Sequence, residues 1–179
     1  MKRFFFLLIK PLSFLPALAM MYLIFTFSAQ TGDISSELSY RVSHKIVTVG
    51  DQVLDTGFTE GQIEEYTEKI HGPVRKLAHI GEYFLLAVAV SFPLYVYGLR
   101  GFPLVLLAGA LCVGFAFLDE QHQSSVSGRG ASVRDVMIDS IGIFLGITVV
   151  RIICWTALAP SRFMEKRRQR KRRKKKKKK

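Results

Sequence analysis

Cysteine is scarce in this chain of 179 residues, and its two thiols, Cys112 and Cys154, both lie within apolar runs. Their separation matches no metal-ligand or disulfide-rich pattern, so the sequence indicates neither a zinc site nor a disulfide framework. We expect both thiols to be buried as small apolar side chains.

Positive charge is scarce outside the C-terminus, although the formal net charge is +12. Residues 162–179 contain 14 of the 26 Lys and Arg residues and one acid, Glu165, against 12 basic and 13 acidic residues upstream. The body of the chain is therefore slightly acidic. This distribution argues against a basic nucleic-acid-binding domain, which spreads positive charge over a folded face.

Established catalytic signatures are also missing. The chain has no H-E-x-x-H and no G-x-S-x-G motif, and these are the patterns that mark a zinc hydrolase or a serine hydrolase. The sequence therefore assigns no enzyme class, and it favours a protein that is not an enzyme.

Long apolar runs are what the chain has instead, and about 20 apolar residues suffice to cross a bilayer as a helix. The first run begins after Lys2 and Arg3 and is longer than the apolar core of a cleaved signal peptide, so we favour an uncleaved anchor helix over a secretory signal. We predict four spans, at about 4–29, 77–99, 102–118 and 136–158.

The polar segment 30–76 between the first two spans contains two predicted helices. Apolar residues recur at helical spacing from Ile34 to Val53, and Thr59 with Gln62 resembles a capping box at the start of the second helix. We expect both helices to lie on the membrane surface or over the bundle. The predicted fold is an all-α integral membrane four-helix bundle with amphipathic extracytoplasmic helices between spans 1 and 2, which forms one membrane domain over 1–160.

The distribution of basic residues predicts the orientation. Lys2, Arg3 and Lys10 precede the first span, Arg100 lies between the second and third spans, and the tail follows the fourth. The positive-inside rule then places both termini in the cytoplasm and the loop 119–135 outside. We expect the tail, 161–179, to be disordered and to contact anionic lipids of the inner leaflet, with nonspecific RNA binding as the alternative. No specific nucleic acid is expected.

This topology brings ionisable and polar residues from several regions of the sequence to the outer face, and such residues in a membrane are candidates for function. We expect the basic members to pair with the acidic ones. The predicted polar cluster consists of Arg75, Lys76, His79, Glu82, Tyr83, Asp119, Glu120, Gln123, Arg129, Arg134, Asp135 and Asp139. A separate pair, Gly142 and Gly146, has the spacing that allows two membrane helices to approach closely.

Three ordered motifs in this cluster resemble those of the VanZ-like family of bacterial membrane proteins. They are R-K-L-A-H with E-Y at 75–83, D-E-x-x-Q at 119–123 followed by G-R at 128–129, and D-x-x-x-D-x-x-G at 135–142. The founding member of that family is associated with reduced susceptibility to the lipoglycopeptide teicoplanin. The resemblance therefore implies a multi-pass protein of the bacterial cell membrane that acts in the envelope and in antibiotic response.

Three functions remain open from the sequence. The first is binding of an outer-leaflet lipid-linked or lipidated ligand, whose phosphate or carboxylate the basic residues would hold. The second is an intramembrane enzyme acting on lipid headgroups, with a Glu–His pair or a divalent metal, although no cofactor is expected. The third is a proton-coupled lipid transporter. A purely structural salt-bridge network is the alternative for any single residue, His122 is expected to be a solvated loop residue, and the oligomeric state is open.

Overall fold

The computed structural model describes residues 11–176, with side chains described as far as Thr156. Within this part of the chain all regular structure is helical, which confirms the predicted all-α fold. The five helices are α1 (Leu15–Ser28), α2 (Gly32–Leu54), α3 (Glu60–Val96), α4 (Phe102–Gln123) and α5 (Val133–Lys176).

Three of these helices are long and apolar enough to cross a membrane. They are α3, α4 and the Val133–Thr156 part of α5, each of which contains an 18-residue apolar stretch, with mean hydropathies of 1.6, 2.1 and 2.1 for these stretches. The predicted first span, 4–29, lies partly outside the described residues. Helix α1 qualifies only together with α2, from which it is separated by a bend of 105°.

The helix boundaries differ from the predicted spans in three places. Helix α3 begins at Glu60, so part of the polar segment and the second predicted span form one continuous helix through Pro73. The predicted capping box begins it, since the Gln62 amide donates to Thr59 Oγ1 at 3.4 Å and the Thr59 amide donates to Gln62 Oε1 at 3.0 Å. Helix α4 extends to Gln123, beyond the predicted limit of 118.

The third difference concerns the basic tail. Helix α5 is continuous as far as Lys176, so it includes most of the segment for which the composition predicts disorder. Lys and Arg are good helix formers, and extending an existing helix avoids the cost of nucleating a new one. Residues 177–179 lie outside the described part of the chain.

The core lies where α3 and α5 pack against each other, and Gly142 and Gly146 make this packing close. A Cβ atom at Gly142 would overlap the carbonyl oxygen of Ile80, and one at Gly146 would lie 2.5 Å from the carbonyl oxygen of Phe84. Helix α4 contributes a stripe of buried side chains that includes Cys112, and Cys154 is buried in α5. Both cysteines are buried, as the sequence predicts.

Helix α2 is amphipathic as predicted, but it packs through its small polar residues and leaves its apolar side outward. Ser39 and Ser43 are buried, and their hydroxyls donate to the carbonyls four residues earlier, at 2.8 Å in each case. The apolar stripe is about half exposed, so this helix does not cover the bundle with its apolar face. The stripe consists of Ile34, Leu38, Val42, Ile46, Val49 and Val53.

Candidate functional site

Asp119, near the C-terminal end of α4, joins three helices through one carboxylate oxygen. Its Oδ2 accepts hydrogen bonds from Ser28 Oγ of α1 at 2.8 Å, from Tyr83 OH of α3 at 3.1 Å and from Gln123 Nε2 at 2.9 Å. The side chain is buried, with 3% of the residue exposed, and Oδ1 is buried without a hydrogen-bond partner. Asp119 therefore fixes the relative positions of α1, α3 and α4.

Arg129 lies in the loop between α4 and α5 and contacts two of the residues that bond Asp119. Its Nη1 donates to Gln123 Oε1 at 3.1 Å and to the Ser28 carbonyl at 3.3 Å, while its Nε is buried without a partner. The pKa of Arg129 is lowered, mainly because the guanidinium is partly buried and secondly because Arg75 carries the same charge. The guanidinium stays charged, so a bound anion would offset both the cost of burying this charge and its repulsion from Arg75.

Two glycines bring the loop that carries Arg129 against the start of α2. The Gly32 amide donates to the Ser127 carbonyl at 3.1 Å, and a Cβ atom at Gly32 would overlap the carbonyl of Gly128. Gly128 itself has φ of +75°, a conformation that favours glycine. This contact holds the loop and its arginine against α2.

Glu120 holds the other end of the same loop. Its Oε1 accepts a hydrogen bond from the Ser132 amide at 2.6 Å, just before α5 begins. The residue is only 5% exposed. Neighbouring carboxylates, Asp119 and Glu120, thus connect α4 to different parts of the molecule, the first to α1 and α3 and the second to the start of α5.

His79 of α3 lies between two carboxyl groups. Its Nδ1 is 3.9 Å from Asp139 Oδ1 on α5 and 4.0 Å from Glu82 Oε2 one turn along its own helix. About a quarter of the His79 side chain is exposed, whereas that of Asp139 is 6% exposed. The imidazole therefore has one edge toward the carboxyl groups and remains accessible.

These residues surround a cavity of about 360 Å³, which is within the size range of small-molecule sites. Its wall combines cationic side chains from α3 and the loop with carboxyl groups from α4 and α5. Eight of the predicted cluster residues line it, namely Arg75, Lys76, His79, Glu120, Gln123, Arg129, Asp135 and Asp139, together with Gly72, Gly128, Gly130 and Ile138.

A second cavity of about 120 Å³ adjoins the first and shares Arg75, His79 and Arg129 with it. Its wall is formed by α1, α2 and α3 and includes Glu82. Phe27, Leu38 and Ala78 give this cavity an apolar side, and the other lining residues are Ser28, Gln30, Ser35 and Ser39.

The prediction that the basic residues of the cluster form ion pairs with its acidic residues is wrong. Among the side chains described, the ion pairs within 4.0 Å include none formed by Arg75, Lys76, Arg129 or Arg134. Asp119 and Glu120 instead accept hydrogen bonds from hydroxyl, amide and backbone groups. The arginines of the site are consequently not neutralised by direct carboxylate contacts.

The remaining members of the predicted cluster have different positions. Tyr83 is fully buried beneath the cavity, where it bonds Asp119, and Arg134 is exposed and lines neither cavity. His122 is not a solvated loop residue, because it lies on α4 with its ring stacked on Phe25 at a centroid distance of 4.2 Å. No group of three His, Cys, Asp or Glu side chains in the described residues is arranged to hold a metal ion.

The sequence reasoning missed Ser28 as a site residue. Its hydroxyl donates to Asp119 and accepts from Gln123, and its carbonyl accepts from Arg129. A serine at the end of an apolar run is a weak signal in itself. Its partners lie more than 90 residues away in sequence, so only the folded arrangement shows which groups it bonds.

Comparison with known proteins identifies the family. The family model for VanZ/LLP1 matches residues 13–154, which is well over half of the chain. The chain belongs to the VanZ/LLP1 family. No curated protein and no solved structure matches it. Family membership and the apolar helices together make this a VanZ-like membrane protein, and the matched range contains both cavities.

Proposed function

We propose that this VanZ/LLP1 protein binds a lipid-linked or lipidated anionic ligand in the larger cavity, at the outer leaflet of the bacterial cell membrane. The observation that carries the proposal is that Arg75, Lys76 and Arg129 line one cavity and that none of the described carboxylates lies within ion-pair distance of them. Arg binds phosphate or carboxylate in a bidentate manner, and Lys adds a point charge.

The carboxyl groups of the cavity have a complementary role in this proposal. Glu120 is held by the Ser132 amide, and Asp135 lies in the first turn of α5. Carboxylates accept hydrogen bonds only, so they suit hydroxyl or amide groups of a ligand whose anionic group is held by the arginines. A headgroup that combines phosphate or carboxylate with sugar or peptide groups fits this lining.

The smaller cavity favours an amphiphile over a free anion. Phe27 and Leu38 line it and are each about half exposed, and Leu38 also belongs to the outward apolar stripe of α2. An apolar surface therefore continues from the cationic site to the face that lipid would cover. An alkyl chain could leave the site along this path while the headgroup stays bound.

The orientation supports the outer leaflet and has its own test. The excess of Lys and Arg before the first span, at Arg100 and after the last span favours a cytoplasmic position for these segments. We expect a cysteine introduced at Gln121 to react with an impermeant maleimide added to intact cells, and one at Arg100 to be protected. The reverse pattern would place the site at the inner leaflet.

Removing the Arg75 charge should weaken ligand binding more than removing the Arg134 charge. Charge-assisted hydrogen bonds contribute about 1.5–3 kcal/mol, so Arg75→Gln should bind a fluorescent polyprenyl phosphate at least about tenfold more weakly. Arg134→Gln is the matched control, because Arg134 is exposed outside both cavities. Binding is measured on full-length protein in phosphatidylcholine nanodiscs, and equal affinity of wild type and Arg75→Gln would contradict the proposal.

The same variants test a link to drug response, which family membership suggests. We propose that the protein lowers susceptibility to lipoglycopeptides such as teicoplanin. In a host without close relatives, wild type and Arg134→Gln should protect against teicoplanin, and Arg75→Gln should not. A non-lipidated glycopeptide is the parallel control. Protection that extends equally to both drugs would argue against recognition of the lipid chain.

A further inference from the structure

The position of His79 indicates a chemical role for the site beyond binding. His79 lines both cavities, next to Arg75 and Arg129. Its Nδ1 faces Asp139 and Glu82, and no hydrogen bond or ion pair engages its Nε2 among the described residues. An imidazole with one nitrogen toward carboxylates and the other unengaged is arranged as a general base.

We propose that the cavity hydrolyses a lipid phosphoester, with His79 as the base that activates water and the three cationic side chains as the phosphate clamp. This inference rests on the proposed binding of an anionic lipid in the same cavity. The substrate class is a lipid with a terminal phosphate, either a monoester or a diphosphate. The products are inorganic phosphate and the lipid that has lost this group.

The reaction uses water as its only co-reactant. Nε2 of His79 takes a proton from water, the water oxygen forms a bond to phosphorus, and the bond from phosphorus to the leaving oxygen breaks. The leaving oxygen, on the opposite side of phosphorus, keeps the electron pair and takes a proton from a second water molecule, and the hydroxide left behind takes up the proton that His79 acquired. Arg75, Lys76 and Arg129 stabilise the charge on the phosphoryl oxygens as the bond breaks.

Asp139 acts as a positioning residue in this scheme. A hydrogen bond from the Nδ1 proton to Asp139 would keep Nε2 unprotonated and stabilise the imidazolium that forms after proton transfer. The present separation of 3.9 Å is longer than a hydrogen bond, and catalytic hydrogen bonds often tighten only when substrate binds. Glu82, on the same helix as His79, adds a second carboxyl group at the same edge of the ring.

The experiment measures binding and phosphate release separately on full-length protein in phosphatidylcholine nanodiscs. The two probes are phosphatidic acid, a monoester, and a polyprenyl diphosphate, and release from one but not the other identifies the class of lipid. We expect His79→Gln to bind the probe within about twofold of wild type and to release phosphate at least about a hundredfold more slowly. His79→Asn provides a second variant of different length.

His71→Gln is the matched control. His71 lies on the same helix, with Nε2 at 3.4 Å from Glu68, but it lines neither cavity, so its replacement should leave release unchanged. Asp139→Asn should lower kcat about tenfold or more and leave KM within about twofold, because it acts through His79 and not on the phosphate. A purely structural role would change folding yield or KM together with kcat.

The outcomes that contradict the inference are distinct from those that contradict binding. Binding of both probes by wild type without phosphate release would overturn hydrolysis and leave the proposed binding function intact. Release that both His79 variants retain would overturn the role of His79. If neither probe binds, the proposed function itself fails, and the inference that rests on it fails as well.

Discussion

Asp119→Ala should lower the free energy of unfolding by about 3 kcal/mol or more, the largest effect that we expect from one substitution. The change leaves the hydroxyls of Ser28 and Tyr83 without their acceptor in a buried position, and Gln123 Nε2 keeps only its hydrogen bond to Ser28 Oγ. Each buried donor that loses its partner costs about 1–3 kcal/mol. The measurement is thermal or denaturant unfolding of the full-length protein in detergent micelles, followed by a fluorescence probe.

A double-mutant cycle separates this network from a general loss of packing. Tyr83→Phe removes one of the three donors, so Asp119→Ala should cost less in the Tyr83→Phe background than in wild type. If Asp119→Ala lowered the free energy of unfolding equally in the two backgrounds, the hydrogen bond from Tyr83 to Asp119 would contribute nothing measurable to stability. Because the network also positions Arg129 through Gln123 and Ser28, ligand binding should weaken in parallel with stability.

Gly142→Ala should destabilise the packing of α3 against α5. The added methyl group would overlap the carbonyl oxygen of Ile80, which belongs to helix backbone and cannot rotate away as a side chain would. Overpacking of this kind costs about 1–3 kcal/mol, and we expect the upper end of that range. The melting temperature of the variant relative to wild type measures it.

Gly114→Ala is the matched control for this prediction. Gly114 lies in α4, where a Cβ atom would meet nothing within 4 Å. Alanine has the higher helix propensity, by about 0.5–1 kcal/mol, so this variant should be unchanged or slightly more stable than wild type. If Gly142→Ala were as stable as Gly114→Ala, the close approach of α3 and α5 would contribute nothing to the fold.

Much of the helical framework follows from local sequence patterns. The apolar runs that form α3, α4 and α5 are long, the capping box at Thr59 begins α3 as expected, and the spacing from Ile34 to Val53 indicates the amphipathic α2. The predicted ends of the helices agree less well with the structure than the predicted helices themselves. The polar helical segment that begins at Thr59 and the apolar run that follows it form one helix, which continues through Pro73.

Most of the polar residues that line the larger cavity could be predicted from the sequence, because ionisable residues in membrane helices are costly and rarely incidental. Eight of the twelve residues in the predicted cluster line the larger cavity, and Glu82 lines the smaller one. Asp119 and Tyr83 lie beneath the cavity as structural supports, which burial alone reveals. Arg134 has the same residue type as Arg129, but it lies in the first turn of α5 and lines neither cavity.

The sequence by itself determined that the chain is helical, that several helices are apolar enough to span a membrane, and which polar residues could form a site. Only the tertiary structure decided which groups the polar side chains bond to. Opposite charges in the sequence suggest salt bridges, yet Asp119 Oδ2 accepts hydrogen bonds from hydroxyl and amide donors, and Glu120 accepts one from a backbone amide. Helix α2 likewise buries Ser39 and Ser43 in place of its apolar residues. The physical reason is that hydrogen-bond and ion-pair geometry depends on the relative positions of helices far apart in sequence, which local periodicity does not specify.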